Sequence, residues 1–174
     1  MMKKLAGIIA VVFALLIGAF LALGFVFPSI TYQTKVEINK PVDGAWTYFT
    51  DEKNMKDWLP GFKSIKSLNG KTNEVGAKHE VVFVDGEEEL IFTQTMTAFK
   101  PKETFSFKLE SEMFENDVTV SFTETNGKTT LVQSEKVVGR SILWRSMLPL
   151  MRFYFSGAAQ TTLDKLKDNI EKAA

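Results

Sequence analysis

Five polar side chains lie in stretches of this 174-residue sequence where they could meet a bound molecule: His79, Glu80, Gln94, Glu135 and Tyr154. His79 is the only histidine. An imidazole changes charge near neutral pH, which suits a general acid or base. It stands between Lys78 and Glu80 in an alternating stretch, which is equally the place of an ordinary strand residue. No spacing joins it to a serine and an acid, so no catalytic residue is assigned. The absence of cysteine excludes disulfides and thiolate chemistry. With one histidine and no cysteine, a zinc site lacks its usual ligands. Two acidic groups, Asp85/Glu87/Glu88/Glu89 and Glu110/Glu112/Glu115/Asp117, follow no EF-hand spacing and read as solvated hairpin ends. Gly70, Gly76, Gly86 and Gly127 fall at turns, not in a phosphate-binding loop. Neither a metal nor a cofactor is expected.

A different chemistry is suggested near the C-terminus. All three arginines, Arg140, Arg145 and Arg152, fall within 13 residues. Around them lie Ile142, Leu143, Trp144, Met147, Leu148, Leu150, Met151, Phe153, Tyr154 and Phe155. Aromatic residues mixed with Arg suit a membrane interface, so Arg140, Trp144, Arg145 and Arg152 are candidate membrane contacts. The competing reading is a buried helix start whose arginines pair with nearby carboxylates. Lys and Arg together balance Asp and Glu at 21 each. Setting aside Lys3 and Lys4 leaves 19 against 21, a net of −2, which argues against nucleic acid as a partner.

The elements that must position these residues begin with a hydrophobic run. Leu5 to Phe27 is 23 residues without a charge, Asn, Gln or Pro. As a helix it would reach about 34 Å, enough for a hydrocarbon core of about 30 Å. A cleaved signal peptide is the rival, but its apolar region is shorter, about 7–15 residues. The nearest small-x-small site, Ala22-Leu23-Gly24, lies inside the run. An uncleaved, single-pass anchor at 1–28 is expected, followed by one domain at 29–174. Lys3 and Lys4 favour a cytoplasmic N-terminus with the domain outside the cell or in the periplasm. Lys35 and Lys40 weaken that bias, so the side stays open. Only Pro28 to Ile30 separate the run from the first strand.

Thr31–Ile38 alternates as a strand. Ala45, Trp46 and Phe49 follow Pro41 at helical spacing, and a second short helix is expected at Asn54–Leu59 with Asn54 as its cap. Strands are expected at Phe62–Leu68, Lys78–Val84, Glu88–Phe99, Thr104–Leu109, Val118–Glu124 and Thr129–Val138. Asn69-Gly70, Asp85-Gly86 and Asn126-Gly127 mark their turns. Phe155, Ala159, Leu163, Leu166 and Ile170 form the apolar stripe of a long final helix, expected to begin near Ser146 with Pro149 in its first turn. The fold class is α+β: an antiparallel sheet of about seven strands wrapped on that helix.

In this order the segments resemble the START/Bet v 1-like superfamily, also described as SRPBCC or polyketide cyclase/dehydrase-like proteins. The residues that carry the resemblance are Val36-Glu37-Ile38-Asn39-Lys40-Pro41, Ala45-Trp46, Phe49, Asp51, Trp58 and Pro60-Gly61. Phe99-Lys100-Pro101 before Phe105-Ser106-Phe107, Gly127-Lys128-Thr129-Thr130 and the final helix complete it. The resemblance implies a helix-grip fold whose cavity holds hydrophobic molecules. It does not imply one reaction. Strand alternation then nominates Val81, Phe83, Leu90, Phe92, Met96, Phe105, Phe107, Val118, Val120 and Phe122 for the cavity, with Met147, Met151 and Phe155 from the helix. Trp46, Phe49 and Trp58 would close one end. The leading expectation is membrane-tethered binding of a lipid or other hydrophobic small molecule. A cyclase, dehydratase or hydrolase in the same cavity is the alternative, and an interaction module without a ligand is a third. No protein partner is indicated.

Overall fold

Seven strands form one antiparallel sheet in the computed structural model, which describes residues 2–173. They are β1 (Ser29–Ile38), β2 (Phe62–Asn69), β3 (Lys78–Asp85), β4 (Glu88–Lys100), β5 (Thr104–Glu110), β6 (Phe114–Thr125) and β7 (Lys128–Gly139). The spatial order β1-β7-β6-β5-β4-β3-β2 is a six-strand meander with β1 added beside the last strand. Turn chemistry sets the register. Asn126 and Gly127 both have positive φ, 54° and 74°, and join Thr125 to its partner Lys128 in a two-residue hairpin. Gly86, at φ 63°, does the same between Asp85 and Glu88. Asn69-Gly70 ends β2 but opens a longer loop, 70–77, before β3.

Between β1 and β2 lie α2 (Val42–Thr50), a 3-10 turn (Glu52–Asn54) and α3 (Met55–Trp58). Pro41 is the residue preceding α2, and Glu124 at the end of β6 accepts the Val42 N–H at 2.8 Å. A carboxylate there complements the helix dipole. Asn54 stands at the N-cap position of α3, as expected, but its side chain makes no cap hydrogen bond. Asp51 caps the 3-10 turn by accepting from Lys53 N–H, while Asn54 Nδ2 donates to the Tyr48 carbonyl.

The final helix, α4 (Ile142–Lys172), starts four residues before the expected Ser146. Ser141 caps it, accepting from Trp144 N–H at 3.3 Å. Pro149 is therefore interior to the helix and gives no N–H to the Arg145 carbonyl. Leu163, Leu166 and Ile170 are buried against Val36, Ile38, Trp46, Phe122 and Leu131, the packed end of the molecule. A second cluster forms at the other end from Ile30, Val137 and Leu148. The outer edge of β1 is covered by side chains of α4. Gln160 Oε1 accepts from Lys35 N–H at 3.3 Å and its Nε2 donates to the Lys35 carbonyl at 3.2 Å. Lys167 donates to the Glu37 carbonyl, and Glu171 accepts the Asn39 N–H. Edge groups satisfied this way are closed to another strand. The opposite edge, β2, is broken by register shifts between Phe62/Ser64 and Ser67/Asn69.

One further helix, α1 (Met2–Val26), precedes the sheet. It is long and apolar enough to cross a membrane, and Phe13, Leu15 and Phe25 on it are exposed. Two residues, Phe27 and Pro28, separate it from β1. Its last turns pack on the start of α4. Gly24 is buried there, and a Cβ on it would lie 2.6 Å from Ser146 Oγ and 2.8 Å from the Ile142 carbonyl. Ser146 is itself fully buried, with its hydroxyl on the Ile142 carbonyl at 2.8 Å.

Candidate ligand cavity

Alternation along the strands decides which side chains face α4, and apolar residues dominate that face. The helix packs closely on β1 and β7 and stands off the backbone of β3–β6. Between them is a cavity of about 680 Å³, within the range of small-molecule sites. Val81 and Phe83 of β3, Leu90, Phe92 and Met96 of β4, Phe105 and Phe107 of β5, and Val118 and Val120 of β6 line it. Phe49 and Trp58, stacked at 5.5 Å, bound one end. Phe114 and Phe155, edge to face at 6.2 Å, bound the other.

Four apolar candidates lie elsewhere. Trp46 and Phe122 pack on each other at 5.1 Å and fill the space under α2, so they belong to the packed end. Met147 and Met151 come too early along α4. The helix lines the cavity only from Tyr154 to Thr162. Before that point it is engaged by α1, and its Leu148 packs on Ile30 and Val137.

The wall also carries a polar cluster. Glu135, on β7, is buried. Its Oε2 accepts from the Tyr32 hydroxyl at 2.8 Å and from Asn116 Nδ2 at 2.6 Å; its Oε1 accepts from Gln133 Nε2 at 2.6 Å. Register explains the meeting. Tyr32 is paired directly with Glu135 across β1 and β7, Gln133 is two residues away on the same face, and Asn116 is on the neighbouring β6. Burial, together with the charge and hydrogen bond of Glu135, pushes the Tyr32 phenol far above its ordinary range. The hydroxyl is a fixed donor. His79 and Gln94, also buried, face the cavity side by side from β3 and β4. Tyr154 reaches the rim. Glu80 does not line the cavity; it alternates away from its neighbour His79. Sequence reasoning passed over Tyr32, Asn116 and Gln133. The period-two argument that selected Val118 and Val120 also places Asn116 inside, and Tyr32 and Gln133 join it through the pairing of β1 and β7.

The basic segment divides by residue. Arg140 pairs with Glu110 at 2.9 Å and Glu115 at 3.3 Å. Arg145 Nε donates to the Gly139 carbonyl at 2.9 Å. Trp144 is half-buried. Arg152 is exposed and, among the described residues, in no ion pair. Leu143, Leu150, Phe153 and Tyr154 are exposed nearby, Phe153 at 85%.

Solved structures share this architecture. Ara h 8.0201 superposes with a TM-score of 0.67 at 12% identity, over 83% of this chain and 99% of that one. TTHA0849 from Thermus thermophilus gives 0.66 at 12%, over 81% and 97%. The di-domain ARO/CYC BexL from the BE-7585A biosynthetic pathway gives 0.66 at 14%, over 84% of this chain and 52% of its own. At these identities the likeness is one of fold. A search of curated proteins found no match. A family model described as "Polyketide cyclase / dehydrase and lipid transport" matches residues 29–171, and the chain with its seven-stranded sheet and long final helix therefore belongs to that family, within the START/Bet v 1-like superfamily.

Proposed function

We propose that this chain is a membrane-tethered binder of a hydrophobic small molecule or lipid, held in the cavity between the sheet and α4. The observation that carries the reading is a void of about 680 Å³ in a domain whose other end is tightly filled. Native interiors leave few voids larger than a water molecule. Burying apolar ligand surface there would contribute about 25 cal/mol per Å². The side chains nominated for it are Phe49, Trp58, Val81, Phe83, Phe92, Met96, Phe105, Phe107, Val120 and Phe155, all on the cavity wall. In this reading α1 is an uncleaved anchor, residues 29–174 form the binding domain, and the exposed Leu150, Phe153 and Arg152 face the bilayer. Native mass spectrometry of the full chain, with lipid extraction, tests the binding. A reproducibly co-purifying apolar molecule is the expected result; an empty protein that takes up nothing from a lipid panel would refute it. Liposome flotation of residues 29–174, without α1, tests the surface: Arg152→Glu with Phe153→Ala should weaken binding, and unchanged binding would sink that part.

A cyclase or dehydratase is the second reading, favoured by the polar cluster in an otherwise apolar wall. It requires a group free to move a proton. Three donors already occupy Glu135, which leaves His79 as the side chain to replace first in a turnover assay.

A further inference from the structure

The charges on the cavity wall are all of one sign. Its lining contains three carboxylates, Glu52, Asp85 and Glu135, and neither a lysine nor an arginine. The chain has 21 basic residues, so their absence from this surface is a property of the site. Glu52 and Asp85 are exposed at the rim, whereas Glu135 is buried in the wall. A carboxylate offers about four lone-pair sites. At Glu135 two are filled on Oε2, by Tyr32 and Asn116, and one on Oε1, by Gln133. One acceptor site on Oε1 is left over, on a residue that faces the void. Tyr32, Asn116 and Gln133 already donate to this carboxylate, so the complement to the remaining site is a donor brought by the ligand.

We infer that the cavity takes an apolar molecule whose polar end is a hydrogen-bond donor, an amine or a hydroxyl, and discriminates against carboxylates and phosphates. This rests on the ligand-binding reading above and names its head-group class. An anionic head would meet Glu135 inside a low-dielectric wall whose lining holds no lysine or arginine, where like charges repel far more strongly than in water. A hydroxyl or ammonium would instead gain a charge-assisted hydrogen bond.

The test uses the full chain in phosphatidylcholine nanodiscs at pH 8, with neutral Nile red as reporter and empty nanodiscs as control. Dodecylamine, 1-dodecanol and dodecanoate share one tail and differ in the head. The amine and the alcohol are expected to displace the dye at least about tenfold more tightly than the carboxylate. Glu135→Gln should reduce that ratio to within about threefold. If Glu135→Gln does not fold, Asp85→Lys at the exposed rim serves instead, and should raise dodecanoate affinity. Dodecanoate binding as tightly as dodecanol to the unmodified chain overturns the inference while leaving ligand binding intact. A folded Glu135→Gln that keeps the full ratio overturns it as well. If neither the dye nor any of the three binds, the ligand-binding reading itself falls and takes the inference with it.

Discussion

Tyr32 and Glu135 are neighbours across two strands and lie 103 residues apart in the chain. Their hydrogen bond has a consequence for alkaline stability. The phenol is held above its ordinary range in the folded state, so its contribution is fully present below the unfolded value of about 10. As pH rises past that value the unfolded chain loses the proton and the folded chain does not, and stability falls. Tyr32→Phe should cost about 1 kcal/mol at neutral pH. It should also flatten the loss of stability between about pH 9 and 11. Thermal unfolding of both proteins across that range checks the slope; parallel curves would mean Tyr32 does not titrate as described. At this scale the sequence was only half legible. Alternation identified Val81, Phe92 and Phe107 as inward-facing because apolar side chains advertise burial. Tyr32, Asn116 and Gln133 share that parity but are polar, and their burial depends on Glu135, which becomes their neighbour only when β6, β7 and β1 pair.

At the scale of elements, strand positions were readable because β-formers alternated between turn dipeptides with positive φ. Helix ends were less so. Pro149 suggested a first turn, yet the Ser141 cap and the packing of α1 hold the backbone helical from Ile142. A local rule about proline gave way to tertiary contact. The contact itself turns on Gly24, whose missing side chain lets α1 approach Ser146 and the Ile142 carbonyl. Gly24→Leu should force the two helices apart. Amide exchange over residues 142–150 is expected to quicken about tenfold while β6 and β7 keep their protection. Unaltered exchange in that stretch would show that α4 is held there without α1.

Across the whole molecule, one end is solid and the other hollow, and substitutions should report the difference. Leu166→Ala, at a fully buried site of the packed end, should cost about 2–5 kcal/mol. Ala159→Phe, on the wall of the cavity, adds a large side chain where space already exists. It should keep or raise the melting temperature and abolish uptake of apolar ligands. A cost above about 3 kcal/mol would mean the void collapses in solution. The hollow was foreseen through resemblance, and not through composition, since the same Phe and Met residues also suit a filled core. Met147 and Met151 illustrate why: the helical face can be read from spacing, but how far along α4 the void extends depends on Phe114 and Phe155 meeting across it.

The single proline of α4 separates two jobs. Ser146, before it, is clasped by the last turns of α1; Tyr154 to Thr162, after it, roof the cavity. A rod of 31 residues, about 46 Å long, would transmit any tilt of one part to the other. Proline omits one rung of the helical ladder at the Arg145 carbonyl, and a helix flexes most easily where a rung is missing. The roof is therefore joined to its mounting through one residue that lacks a rung, while Gln160 fastens its far side to the Lys35 backbone.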